Sequence, residues 1–344
     1  MYFTRNLTKL SLSSGRYLTP ELCHFQSSGR HQNYNQGLQI QTRHFSYAES
    51  VSKLWMSLSN SVPVAYFQEG LIKLHDSTGL PWWGSIILST VLLRTAVTVP
   101  LTIYQNKIMA RIEMITQEMP EIAKELKRET AIAMKQFNWT EREAKIMYAH
   151  SLKKQWTKLV VRENCHPAKS FIVLWGQIPM WIFQSMAIRN LVYMMPDPSS
   201  LQAEIIFAQL SLGGFLWIPN LTVPDASFIL PVALGIINLA IVEIQSLSRV
   251  RQGGRLHKYA TNFFRFFSIF MIPIACTVPS CLSLYWVTSS AFGLIQNLTM
   301  MSPKFRRAVG IPVTPSQLEH PYKHLADGVS QRVQKFSSWL PKRG

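Results

Sequence analysis

Apolar residues in this chain gather into five long stretches, over residues 81–104, 170–193, 228–247, 263–278 and 280–298, separated by polar and charged segments. One helix covers each of them, and a helix satisfies its own backbone hydrogen bonds, which is what lipid demands of a spanning segment. The fourth stretch has only 16 residues before Pro279. As a helix it would be about 24 Å long against a hydrocarbon core of about 30 Å, so it must tilt little or the bilayer must thin around it.

The first stretch carries an anomaly. Arg94 lies between Leu80 and Tyr104 with no acidic residue in that interval. A guanidinium at membrane depth costs several kcal/mol unless it faces a bundle interior or a wet cavity. Thr90, Arg94, Thr98 and Thr102 recur every four residues and so form one slowly drifting stripe on a helix. The stripe predicts a hydrophilic groove. The alternative is an arginine that snorkels to a headgroup, but helical rise puts it about 15 Å from the Tyr104 end, a long reach for one side chain.

Between the first and second stretches, residues 105–169 read as a helical hairpin. Ile108, Ile112, Ile115, Met119, Ile122 and Leu126 form a heptad seam, and Thr140 followed by Glu143 has the form of a capping box. Tyr148, Leu152, Trp156 and Leu159 make the second apolar face. The charged faces of this hairpin read as solvated surface, with contact to a ribosome or a substrate as the sharper alternative.

Composition changes the class. At 47% hydrophobic and 15% charged, the chain has fewer charges than the roughly 25% of soluble domains, which favours a membrane protein. The net charge of +17 is topological and does not point to nucleic acid. Residues 105–169 hold 13 Lys/Arg against 8 acids, residues 249–258 hold four and none, and residues 300–344 hold eight and two. Residues 194–227 contain Asp197, Glu204 and Asp225 and no Lys or Arg. These signs alternate as the positive-inside rule requires, with the N-terminus outside and the C-terminus inside. Residues 1–45 have five basic residues, one acid and many serines, resembling a mitochondrial transit peptide, with Arg43 to Ser46 like a matrix-protease cleavage site. A disordered basic tail is the other reading. If the segment is a transit peptide, residues 46–80 lie in the intermembrane space, 81–299 form the core and 300–344 make a basic matrix tail.

The chain lacks the parts of an enzyme. No His-Glu-x-x-His, Gly-x-Ser-x-Gly or Walker loop occurs, and none of the nine histidines falls in a predicted membrane helix. No cofactor or metal is expected, and the four cysteines lack ligand spacing and read as packing residues. Glu243, the one acid within a predicted span, reads as a paired or snorkelling end residue rather than a proton relay. Gln177 and Gln184 could join the polar stripe or make helix-to-helix hydrogen bonds, and the same two readings hold for Tyr285, Ser289 and Gln296.

Taken in order, the segment from Leu92 to Gln105 around Arg94, Gln177 to Phe183 with Pro179, Leu221 to Asp225, Pro231, and Pro279 to Gln296 with Tyr285 and Trp286 resemble the marks of the YidC-type membrane protein insertases. With the transit peptide, the resemblance is to the mitochondrial branch and its members in cytochrome c oxidase assembly. It implies an all-α, five-transmembrane-helix bundle with a positively charged groove and a matrix-side helical hairpin, inserting helices without ATP hydrolysis. It further implies an inner-membrane location, oxidase assembly factors as partners, and as cargo the C-terminal tail of cytochrome c oxidase subunit II. Arg94, Thr90, Thr98, Gln177, Gln184, Tyr285 and Ser289 would line the groove and contact substrate. The C-terminal tail lacks the long coiled-coil extension of ribosome-binding members, which implies action on released or partly inserted cargo. Two other classes fit parts of the pattern: a structural assembly scaffold, and a small-solute channel, for which no internal repeat is seen.

Overall fold

The computed structural model describes residues 47–248 and 254–339, and among them the chain is helical with no named strand. The transit-peptide segment and the basic positions Arg249, Arg251, Lys342 and Arg343 lie outside the described residues. Two helices precede the first apolar stretch: α1 (Tyr47–Ser59) and α2 (Val62–Thr78), the latter closed by Gly79 at φ +63°, a left-handed cap that glycine adopts without strain. Both are fastened to the far end of α6 (Ile172–Val192). Asn190 donates to the Ser59 carbonyl (3.0 Å) and to Gln68 (3.2 Å), and Arg189 stacks on Trp55 and Tyr193 at 5.2 and 5.1 Å. Cation–π contact gives that guanidinium partners at the end of α6.

The helix that covers the first apolar stretch does not stop at residue 104. α3 (Trp82–Leu93), a π-helical turn (Arg94–Thr98) and α4 (Val99–Gln136) form one continuous helix of 55 residues. At 1.5 Å per residue it is about 83 Å long, so its second half projects well beyond any bilayer. There it pairs with α5 (Glu141–Arg162). The heptad seam packs as its spacing predicts: Ile108 and Ile115 are buried with Leu159 and Cys165, and Ile112, Met119, Ile122 and Trp156 pack around them. The capping box forms too, with Thr140 and Glu143 each bonding the other's backbone N–H.

α7 (Leu201–Leu212) follows α6, then α8 (Ile229–Leu247), α9 (Arg255–Ala275) and α10 (Ser280–Met301). α10 is the hub, packed against α3, α6 and α8, while α9 packs chiefly on α8. The main core joins Trp82, Ile86, Leu234, Leu282 and Tyr285 across these elements. Among the described residues, three helices are long and apolar enough to cross a membrane: Trp82–Gln136, Pro167–Val192 and Ile229–Leu247. α9 and α10 match them in length but not in composition. In α10 much of the polarity is turned inward, since Ser280, Ser283 and Ser289 are buried. α9 is also placed differently from its apolar stretch: it begins at Arg255 and ends at Ala275, so its 21 residues include about two polar turns that the hydropathy pattern leaves out. Only residues 263–275 of the apolar stretch lie in this helix, about 20 Å of it, so the shortfall against the hydrocarbon core remains.

Two capping arrangements hold the ends. Asp225 accepts from the N–H groups of Ser227 (3.0 Å) and Leu230 (2.9 Å) and from the Ser227 hydroxyl (2.6 Å), closing the start of α8. Burial would raise its carboxyl pKa, but the bonds from Ser227 and Leu230 favour the ionised form and the net value is lowered. A lowered folded-state value means this stabilisation is complete above the unfolded value of about 3.9 and disappears as pH falls through the folded one. Asp225→Ala should therefore cost about 1–2 kcal/mol at neutral pH. In thermal unfolding of the detergent-purified chain, that gap should close in acid; a gap that persists there would show that the carboxylate charge is not the cause.

At the other end, α11 (Pro303–Ala308) and α12 (Pro321–Trp339) fold the last segment back onto the bundle. Glu243 is paired, by a two-pronged contact from Arg265 (2.6 and 3.1 Å) and by Arg332 of α12. Tyr322 donates to the Leu298 carbonyl (2.9 Å), and at Gly328 a Cβ would stand 2.9 Å from Leu247 Cδ2, so glycine permits the approach. The pairs are about one-third exposed and worth no more than about 1 kcal/mol each. Glu243→Gln should thus leave the fold intact but speed tryptic cleavage within α12 several-fold, and unchanged cleavage would mean that apolar contact alone seats the helix.

A buried polar cluster around Arg94

The π turn explains how one stripe stays together. In a regular helix Thr90, Arg94, Thr98 and Thr102 would spread over about 120°, because each step of four residues advances about 40°. The Val99 N–H reaches back to the Arg94 carbonyl, five residues, so the turn absorbs one extra residue. That takes back about 100° and leaves the four positions within about 60°. Burial follows the same phase: Thr90, Arg94 and Thr98 are buried, whereas Val91, Leu92, Thr95, Ala96 and Val97 are exposed.

α10 presents the complementary face. Tyr285, Ser289, Gly293 and Gln296 follow at helical spacing. Arg94, only 6% exposed, donates through Nη2 to Ser289 Oγ. Its Nη1 points at Gly293, where an added Cβ would lie 4.0 Å away. Gln296 donates to Thr102 Oγ1 at 2.6 Å, and Tyr285 donates to the Trp181 carbonyl at 3.4 Å. From α6, Gln184 donates to Ser89 (3.3 Å) and Thr90 (3.4 Å), and Trp286 of α10 donates back to Ser185 at 3.1 Å.

Six of the seven residues singled out from sequence meet here: Thr90, Arg94, Thr98, Gln184, Tyr285 and Ser289. Gln177 does not join them. It lies two turns along α6, half-buried, and makes no hydrogen bond among the described residues. Its neighbour Gly176 runs so close to α4 that a Cβ would sit 2.6 Å from Leu101 Cδ1. Ser89, Ser185 and Gly293 belong to the cluster and carry no sequence signal, because serine and glycine are common in apolar helices and only their partners distinguish them.

The cluster is underfilled in hydrogen-bonding terms. A guanidinium has five N–H donors, and Arg94 has one hydrogen bond and no carboxylate within ion-pair distance among the described residues. Thr98 Oγ1 and Gln296 Oε1 are buried without partners. Leaving such groups unsatisfied costs about 1–3 kcal/mol each, so the arrangement favours water or a polar segment that supplies acceptors and donors. No group of His, Cys, Asp and Glu that could hold a metal occurs among the described residues.

The chain is similar in sequence to known proteins. The 60Kd inner membrane protein family matches residues 73–307, a stretch that runs from α2 through α11. The mitochondrial cytochrome c oxidase assembly protein COX18 of Homo sapiens is 46% identical over 269 residues, covering 78% of this chain and 80% of that protein. The protein of the same name from Mus musculus is 44% identical over 279 residues, 81% and 83% of the two chains. The mitochondrial inner membrane protein OXA1 of Arabidopsis thaliana is 27% identical over 269 residues, 78% of this chain and 56% of the relative. With most of its length matched on both counts, the chain belongs to the 60Kd inner membrane protein family, the YidC and Oxa1 group of membrane proteins.

Proposed function

We propose that this chain is an insertase of the mitochondrial inner membrane, which moves the C-terminal tail of cytochrome c oxidase subunit II from matrix to intermembrane space during oxidase assembly. The observation that carries the reading is the buried, uncompensated Arg94 with unsatisfied polar atoms around it, in a chain 44–46% identical to proteins named for oxidase assembly. The core then consists of α3 with the start of α4, α6, α8, α9 and α10 as five crossings. The loop charges favour an N-terminus in the intermembrane space and a C-terminus in the matrix.

Transfer needs no bond to be made or broken. A polar tail inside a bilayer loses hydration, and a guanidinium with free donors, hydroxyls and an amide offer it substitutes at that depth. An acidic tail also gains Coulomb attraction, stronger than in water because the surroundings are apolar. The membrane potential, negative on the matrix side, drives each negative charge outward by about 2.3 kcal/mol per 100 mV. The apolar part of the cargo meanwhile enters lipid beside the exposed apolar faces of α8 and α10, such as Ile236 and Ile295. No nucleotide-binding loop is present in the sequence, consistent with transfer that uses binding and potential alone.

The test is protease accessibility of the subunit II tail in intact mitochondria stripped of the outer membrane. With the chain depleted, the tail should stay protected, and re-expression should restore cleavage. A tail that is cleaved normally without the chain, while oxidase still fails to assemble, would replace the insertase reading with an assembly scaffold.

A further inference from the structure

We propose that the segment from α7 to the turn at 213–218 lies in the outer interface of the bilayer, as a lipid-binding element and not an aqueous loop. It lies between α6 and α8 and carries one acid, Glu204, and no Lys or Arg, so charge alone would leave it in water. Its side chains argue otherwise. α7 is apolar on two opposite faces: Ile206 and Leu210 are buried in the main core, while Leu201 (71% exposed), Ile205 and Leu212 (84%) point outward. A helix with apolar residues on opposite faces belongs in apolar surroundings on both of them, and its 12 residues, about 18 Å, are too few to span. Glu204 is its one charged residue.

The turn that follows continues the same surface. Phe215 and Ile218 bond each other's backbones at 2.7 and 2.8 Å, leaving Leu216 (79% exposed) and Trp217 at the tip. Leu216 has φ +49°, a conformation that glycine or asparagine adopts more readily, so a leucine here is neither hidden nor conformationally favoured. An aromatic chain fixes the depth: Trp83 at the start of α3 contacts Phe215 at 5.1 Å, and Phe215 contacts Trp217 at 6.3 Å. Trp83 stands at the end of a membrane-spanning helix, where tryptophan settles at the interface. Trp82 beside it donates to Gln209 of α7 at 2.8 Å. The element is thus tied at the level of the headgroups, with Leu212, Leu216 and Trp217 facing acyl chains. It contains no cation, so apolar contact and not headgroup charge would hold it.

An environment-sensitive fluorophore on Leu216→Cys, with Cys23 and Cys276 replaced by serine, reads this in liposomes holding the purified full chain. Labels on Ser199→Cys, an exposed polar position, and on Ile236→Cys of α8 are the aqueous and deep references. The residue 216 label should resist aqueous iodide several-fold better than the residue 199 label. It should be quenched more by nitroxide near the headgroup than by nitroxide near the acyl end, the reverse of residue 236. Adding Leu212→Glu should restore part of the iodide quenching. Iodide quenching at 216 equal to that at 199 would overturn the proposal, and so would protection from iodide without nitroxide quenching, which would mean cover by protein. If the label on 236 also escapes both nitroxides, it is the membrane-spanning reading itself that fails.

Discussion

Arg94→Ala is expected to abolish export of the subunit II tail while the protein still accumulates, and Arg94→Lys to restore part of it. The alanine removes both the charge and the donor to Ser289. A charge pair about 4 Å apart at an effective dielectric near 20 is worth about 4 kcal/mol, so the loss corresponds to roughly a thousandfold in rate if attraction limits transfer. Lysine returns the charge but not the planar fork, and it is more strongly hydrated. The comparison decides between two tasks for Arg94. If it binds an acidic tail, neutralising the cargo's carboxylates should mimic Arg94→Ala; if it only hydrates the cluster, neutral cargo should cross as well as before. Export unaffected by either substitution removes Arg94 from the mechanism. Protease accessibility of the tail, with the level of the variant measured alongside, reads all three.

Trp286→Ala should strongly destabilise the helix core. The ring is 7% exposed, leans on Trp181 at 5.7 Å and donates to Ser185, so it joins α10 to α6 at one position. Truncating a buried Trp costs about 3–5 kcal/mol in soluble cores. Lipid is as apolar as the protein interior, which leaves the packing and cavity part of that sum and favours the lower end, about 3 kcal/mol. The purified variant should lose its monodisperse elution many degrees below the parent, whereas Tyr285→Phe, which keeps the ring and loses one bond to the Trp181 carbonyl, should shift it little. Equal thermal stability of Trp286→Ala and the parent would mean that α6 and α10 are held by other contacts.

How far the sequence carried can be judged residue by residue. The seam from Ile108 to Ile122 and the Thr140–Glu143 cap are read correctly because their partners lie within a few residues or repeat at a fixed period. The stripe through Arg94 is legible for the same reason. Its width is not, since the π turn that gathers it appears in no spacing rule. That the helix runs without a break past Gln105 to Gln136 is not legible, because the polarity there ends the apolar stretch without ending the helix. α7 and α12 are missed for opposite reasons: one is apolar without periodicity, and the other is polar enough to pass for a loose tail.

The sequence by itself determined the long apolar helices, the hairpin seam, the charge alternation and the presence of a lone arginine in an apolar stretch, because periodicity and local hydrogen bonding are properties of neighbouring residues. Only the tertiary structure decided what stands opposite that arginine. Ser289, 195 residues away, and Gly293 one turn further on become its surroundings through packing of α10 against α3, and no local pattern marks them. Whether a buried charge is neutralised by a carboxylate or left available is a fact about such distant contacts, since desolvation depends on everything that closes around a group and not on its position in the chain.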